Sequence, residues 1–178
     1  MALRGAAVLF VAALTAAAAQ VSIPLPFTVV PFTFQPMVVL LGGLALGANL
    51  GLASQAVYLA AGIAGLPVFA ASATLPPGAL RLIGPTGGYL VAYPIAALLV
   101  GLLAERGLDR RYLTSVVAML AGLMVIYAVG VIWLSVSVGF AGALAAGVYP
   151  FFAADILKLF AAAGVLPGLW TLLGRASR

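Results

Sequence analysis

Apolar residues dominate long stretches of this chain, and the polar and helix-breaking residues gather between them. A helix that crosses a bilayer needs about 20 mostly apolar residues. On that measure the pattern predicts six spans: about Ala6 to Val21, Met37 to Leu46, Leu50 to Ile63, Gly87 to Ala104, Leu113 to Leu134, and Pro150 to Leu173. The second is short for a span, so it starts earlier, tilts or is incomplete. Pro150 suits a first helical turn, where its missing N–H is not needed. Between the spans lie a proline-rich segment (22–36), a Gly/Pro-rich segment (65–83) and a glycine-studded stretch from Ser135 to Val148. Both of the first two carry apolar side chains, among them Phe27, Phe32, Phe34, Val68 and Phe69. A solvated linker would be more polar, so these segments are expected to fold back as caps over a cavity. The fold class is therefore all-α integral membrane: six transmembrane helices, with long outer loops capping a ligand cavity, in one domain over 1–178.

Composition supports a lipid surrounding. Only 6% of the 178 residues are charged and mean hydropathy is +1.29, against roughly 25% charged residues in a soluble domain. The first segment, with Arg4, an apolar run from Ala6 to Leu14 and small residues from Thr15 to Ala19, also has the look of a secretory signal. An intact first span is the expectation here.

Charge orients the spans. Six spans put both termini on one side with the 2–3 and 4–5 connections. That side holds Arg4, Arg106, Arg110, Arg111, Arg175 and Arg178, and the other holds only Arg81. Lysine and arginine concentrate in cytoplasmic loops, so both ends are expected in the cytoplasm. This also accounts for the net charge of +5 without a nucleic-acid partner, since no run of five basic residues exists.

Two ionisable residues break the last apolar run. Asp155 and Lys158 sit three apart and so share a helix face. One charge at the centre of a spanning helix costs about 2.5–3.5 kcal/mol. The two neutralise each other to cement the bundle, or Asp155 lies near the outer interface and is partly hydrated, or the pair recognises a small polar solute in an outward-facing pocket. Arg81 either reaches lipid headgroups or anchors a ligand carboxylate. It precedes Gly84-Pro85-Thr86-Gly87-Gly88-Tyr89, whose glycines let backbone approach a ligand or helix, with no P-loop lysine following. Gln55, in mid-span, needs an internal partner or a ligand. Small residues at four-residue spacing on the first helix, Ala12 with Ala16 and Ala13 with Ala17, serve either internal packing or a partner membrane protein.

Catalysis is poorly supplied. The chain has no His and no Cys, and its other carboxylates, Glu105 and Asp109, fall on the cytoplasmic side. No acid–base pair, metal cluster or cofactor motif results. A membrane enzyme and a proton-coupled carrier using Asp155 as a relay are the alternatives. Neither has the further ionisable groups it would need.

Four segments resemble a known family. Val21 to Gln35 (VSIPLPFTVVPFTFQ), Gly62 to Phe69 (GIAGLPVF), Gly84 to Tyr89 (GPTGGY) and the Asp155-Ile156-Leu157-Lys158 of the last helix are similar to the ordered signatures of the BioY family. Two departures are Gln35-Pro36, where Gln-Thr is expected, and Ala71 to Pro77, which is less glycine-rich. The resemblance implies the biotin-specific substrate-binding component of an energy-coupling factor (ECF) transporter in a bacterial cytoplasmic membrane. It implies a transmembrane coupling protein and two ABC-type ATPases as partners, and no resident cofactor. In that family the small face of the first helix is the docking surface, matched here by Ala12, Ala13, Ala16 and Ala17. A biotin ureido ring offers N–H donors to Asp155 and a carbonyl to Lys158. Its carboxylate falls to Arg81 or to Thr86, Gly87, Gly88 and Tyr89, with Gln55 as a further candidate contact. Another vitamin is the alternative ligand.

Overall fold

The computed structural model describes residues 2–72 and 76–172. The chain is mostly helical. In order come α1 (Ala2–Gln20), β1 (Ser22–Ile23), β2 (Phe32–Thr33), α2 (Gln35–Leu46), α3 (Ala48–Ile63), α4 (Leu80–Ile83), α5 (Gly87–Leu103), α6 (Tyr112–Gly147), α7 (Tyr149–Ala163) and α8 (Val165–Leu172). Among the described residues, four helical stretches are long and apolar enough to cross a membrane: Ala2–Gln20, Gly87–Leu108, Tyr112–Gly147 and Tyr149–Gly168. Gln35–Leu46 and Ala48–Ile63 are equally apolar but shorter. Arg175, Arg178 and the last residue of the sixth predicted span lie outside the described residues.

Helix α5 lies at the centre. It packs against α2, α3 and α6, while α1 rests on α2 and α3, and α7 rests on α6. Ala92, Ala96, Ala97 and Val100 of α5 have no exposed surface. Small residues allow this closeness, as they do between membrane helices generally. A Cβ on Gly43 of α2 would sit 2.6 Å from the Ala97 carbonyl oxygen, so α2 can touch the α5 backbone only through glycine.

The chain turns sharply between α2 and α3 at Gly47, whose φ of +80° favours glycine. The first α3 amide, on Ala48, is capped from a distance: Glu105 Oε1 accepts its N–H at 2.8 Å. Glu105 belongs to a π-turn over 104–108 that ends α5. This end of the bundle, with Arg106, Arg110 and Arg111, is opposite the end carrying the 22–34 and 65–83 segments.

Three elements differ from the sequence expectation. Segment 22–34 contains a short antiparallel pair, Ser22 with Thr33 and Ile23 with Phe32, so it closes into a hairpin, here called the strap, which is bonded to α6 at Ala146 and to α7 at Lys158. Helix α2 begins at Gln35 with Pro36 in its first turn, where no intrahelical N–H is required. The stretch from Ser135 to Gly147 is helical, continuing α6 beyond a break at Gly139 (φ +73°, ψ 164°). Its glycines suggested irregular backbone, but one positive-φ residue suffices to redirect the helix.

Candidate functional site

The charged pair on α7 lies inside the protein, beneath the strap. Asp155 and Lys158 side chains are 7% and 9% exposed, and Lys158 Nζ donates to Asp155 Oδ1 at 2.8 Å. Helical i, i+3 spacing brings them together. The other carboxylate oxygen, Oδ2, accepts the Tyr127 hydroxyl of α6 at 2.8 Å. Lys158 also donates to the Thr33 carbonyl of β2 at 2.7 Å. Its ammonium lies 3.6 Å from the centroid of the Phe32 ring and 5.1 Å from that of Phe34. Such contact with aromatic faces stabilises a desolvated cation. The ion pair thus joins α6, α7 and the strap.

Beside it are two small cavities of about 50 Å³ each. Val30, Pro31 and Thr33 of the strap and Tyr89 and Tyr93 of α5 line both. One extends to Asp155, Tyr127, Phe151 and Ile126. The other extends to Gln35, Phe69, Arg81 and Thr86. One end therefore borders the Asp155–Lys158 ion pair, the other the Arg81 cation, and the waist between them is aromatic.

At the second end, Arg81 is 6% exposed. Its Nε donates to the Pro76 carbonyl at 2.9 Å and its Nη2 to the Ala70 carbonyl at 3.0 Å. The guanidinium thus ties Arg81 to Ala70 and Pro76 and is turned inward rather than toward lipid headgroups. Burial pulls it below its ordinary pKa, and the Tyr58 phenol nearby pulls it partly back. Thr86, at the start of α5, is buried and its hydroxyl has no partner among the described residues. A buried hydroxyl without a partner is costly, and this one lines the cavity. Gln35 donates from Nε2 to the Tyr58 hydroxyl at 2.6 Å, and Tyr58 in turn meets Phe69 edge-on at 5.6 Å between centroids.

A family model described as the BioY family matches residues 2–175. The chain belongs to the BioY family. The chain is 46% identical over 150 residues, covering 84% of itself and 85% of the relative, to a probable biotin transporter BioY of Pyrococcus horikoshii. To the biotin transporter BioY of Thermotoga maritima it is 40% identical, over 85% of this chain and 86% of that one. Among solved structures it resembles the S-component for biotin from an ECF-type ABC transporter, with a TM-score of 0.84 and 25% identity over 96% of this chain and 92% of that one.

In this member of the BioY family, Asp155, Arg81, Thr86 and Tyr89 line the same pair of cavities, and Lys158 is bonded to Asp155. Gly87 and Gly88 act differently. A Cβ on Gly87 would strike the Leu82 carbonyl, and one on Gly88 would strike Trp133, so both serve close packing of α4 and α6 on α5. Gln55 is turned away from the cavity. It is fully buried between α1 and α3, where its Nε2 donates to Thr15 and Ser54 hydroxyls, both at 3.2 Å. The alanines of α1 are divided as well. Ala12 is buried and Ala16 packs on the core, whereas Ala13 and Ala17 are exposed. Ala12 lies in the hydrophobic core of this chain, so it is corrected to internal packing.

The sequence reading did not single out Tyr93 and Tyr127. Each carries a polar tip in the middle of an apolar helix. A tyrosine hydroxyl in lipid surroundings must find a partner, and that signal pointed to a polar cavity.

Proposed function

We propose that this protein binds biotin in the cavity between Asp155 and Arg81 and takes it up as the substrate-binding component of an ECF-type transporter. The observation that carries this is the buried Asp155–Lys158 pair opening on an aromatic waist. A urea presents N–H donors and a carbonyl side by side. Asp155 accepts from the first and Lys158 donates to the second, with charge-assisted strength. The thiophane ring and aliphatic chain suit Tyr89, Tyr93, Val30 and Phe69. The carboxylate would be met by Arg81 and the free Thr86 hydroxyl. The named relatives and the solved S-component for biotin support the same ligand.

The strap must move for this. Small-molecule sites measure about 300–1,000 Å³, and each cavity here is about 50 Å³. On this reading the 22–34 and 65–83 segments cap the ligand from the outer face, and biotin enters when the strap lifts. The six apolar helices act as six spans in a bacterial cytoplasmic membrane, with the bilayer thinned locally around the two short ones. Both termini are cytoplasmic, as the arginines require. Energy would come from a transmembrane coupling protein and two ABC-type ATPases, docked in part on the exposed Ala13 and Ala17, because the chain has no nucleotide motif of its own. It needs no cofactor and is a carrier component, with no reaction of its own to catalyse.

Titration of the purified protein in detergent tests the ligand. Saturable binding of biotin with no competition from riboflavin or thiamine is the expected result. Binding of either of those in preference to biotin would refute it.

A further inference from the structure

Tyr127 stands between two unlike spaces. Its hydroxyl faces the polar cavity and its ring closes an apolar groove of about 370 Å³, lined also by Met124, Val131, Ile132, Phe140, Leu144 and Phe152. No hydrogen-bond acceptor among those side chains competes for the hydroxyl. Its one partner by geometry is Asp155 Oδ2, at 2.8 Å, and the residue is only 7% exposed. Tyr89 and Tyr93 line the same cavity, but Tyr89 donates to the Gly147 carbonyl at 3.1 Å and neither is bonded to the aspartate among the described hydrogen bonds. Tyr127 is therefore the phenol that touches the aspartate.

The consequence lies in how a carboxylate is oriented. Rotation about its last bond is soft, and an ionised carboxylate accepts about four hydrogen bonds. Lys158 fixes one oxygen. Tyr127 fixes the other, and the two held oxygens with their carbon define the plane. What remains is a set of lone pairs in known directions at the cavity wall.

We propose that Tyr127 is a positioning residue for ligand selectivity: it fixes the Asp155 carboxylate so that the remaining lone pairs read a ring N–H of a cyclic urea. The role rests on the biotin reading above. It differs from a packing role because its effect passes through the N–H alone. Removal of the hydroxyl keeps the ring, and with it the wall against the apolar groove. The carboxylate then turns about Lys158, and an N–H and an N-methyl group are told apart less well.

The test uses the purified full chain in detergent and three ligands: biotin and its two ureido N-methyl derivatives. The wild type should bind biotin more tightly than the derivative methylated on the nitrogen facing Asp155. Tyr127→Phe should weaken biotin about tenfold, the scale of a hydrogen bond to a charged group, and leave that derivative within about twofold, so the ratio narrows. Tyr127→His, which returns a ring N–H donor, should restore part of the ratio. If Tyr127→Phe does not fold, Tyr127→Met is read in the same way. Equal losses for all three ligands, or no loss for biotin, would overturn the positioning role while biotin binding itself stands. Failure of the wild type to bind biotin would instead overturn the ligand assignment, and this role with it.

Discussion

The Lys158 ammonium donates to the Thr33 carbonyl across 2.7 Å, so the charge in the last long helix holds down the strap formed by the first loop. The same ammonium neutralises Asp155 at 2.8 Å. A ligand carbonyl that approaches Lys158 competes for the donors that secure the strap. On the proposed biotin reading, ligand capture and strap position are coupled at one atom.

Lys158→Met follows from this. It leaves Asp155 as a buried charge without its partner and frees Thr33. Breaking one half of a buried pair costs about 3–5 kcal/mol. The melting temperature in detergent should fall, biotin affinity should drop by about two orders of magnitude or more, and limited proteolysis should reach segment 22–34 faster. A melting temperature and protease pattern like the wild type would show that the strap is held elsewhere.

A second anchor of the strap is weaker. The Thr28 hydroxyl donates to the Ala146 carbonyl at 2.6 Å and accepts the Val30 N–H at 3.0 Å. Thr28→Val keeps the shape and loses both. At about 1 kcal/mol for a typical hydrogen bond, biotin should dissociate roughly fivefold faster, as read by displacement with unlabelled ligand.

Arg81 serves structure and, on the biotin reading, the ligand carboxylate. In the wild type the methyl ester of biotin should bind more weakly than the acid. Arg81→Met should lower affinity for the acid and reduce the difference between the two, in parallel titrations. A preserved difference would assign the carboxylate to another donor.

Glu105 separates stability from binding. Its contact with the Ala48 N–H caps α3 at the end remote from the cavity. Glu105→Ala should destabilise by about 1 kcal/mol, as lost caps do, seen as a lower melting temperature. Biotin affinity should be unchanged.

Much of this was legible in the sequence, for a physical reason. Apolar runs and arginine placement report on lipid, which acts locally on each segment, so the helices and the odd charges Asp155, Lys158 and Arg81 stood out. Side-chain direction and long-range partners were not legible. Gln55 and Tyr127 are both polar groups in apolar helices, yet only Tyr127 reaches the cavity, because Thr15 of α1 happens to lie opposite Gln55. Ala12 and Ala13 are identical by type, and only packing separates the buried one from the exposed one. The helical continuation of α6 past Gly139 was hidden because a single glycine can break a helix or merely bend its path.

The most direct measurement is a calorimetric titration of biotin into the wild type and into Asp155→Asn. The account predicts one saturable site in the wild type and an affinity at least tenfold lower in the variant, with both proteins eluting as folded species. Equal affinity in the two would contradict it, and would leave Asp155 and Lys158 as a pair that only holds the helices together.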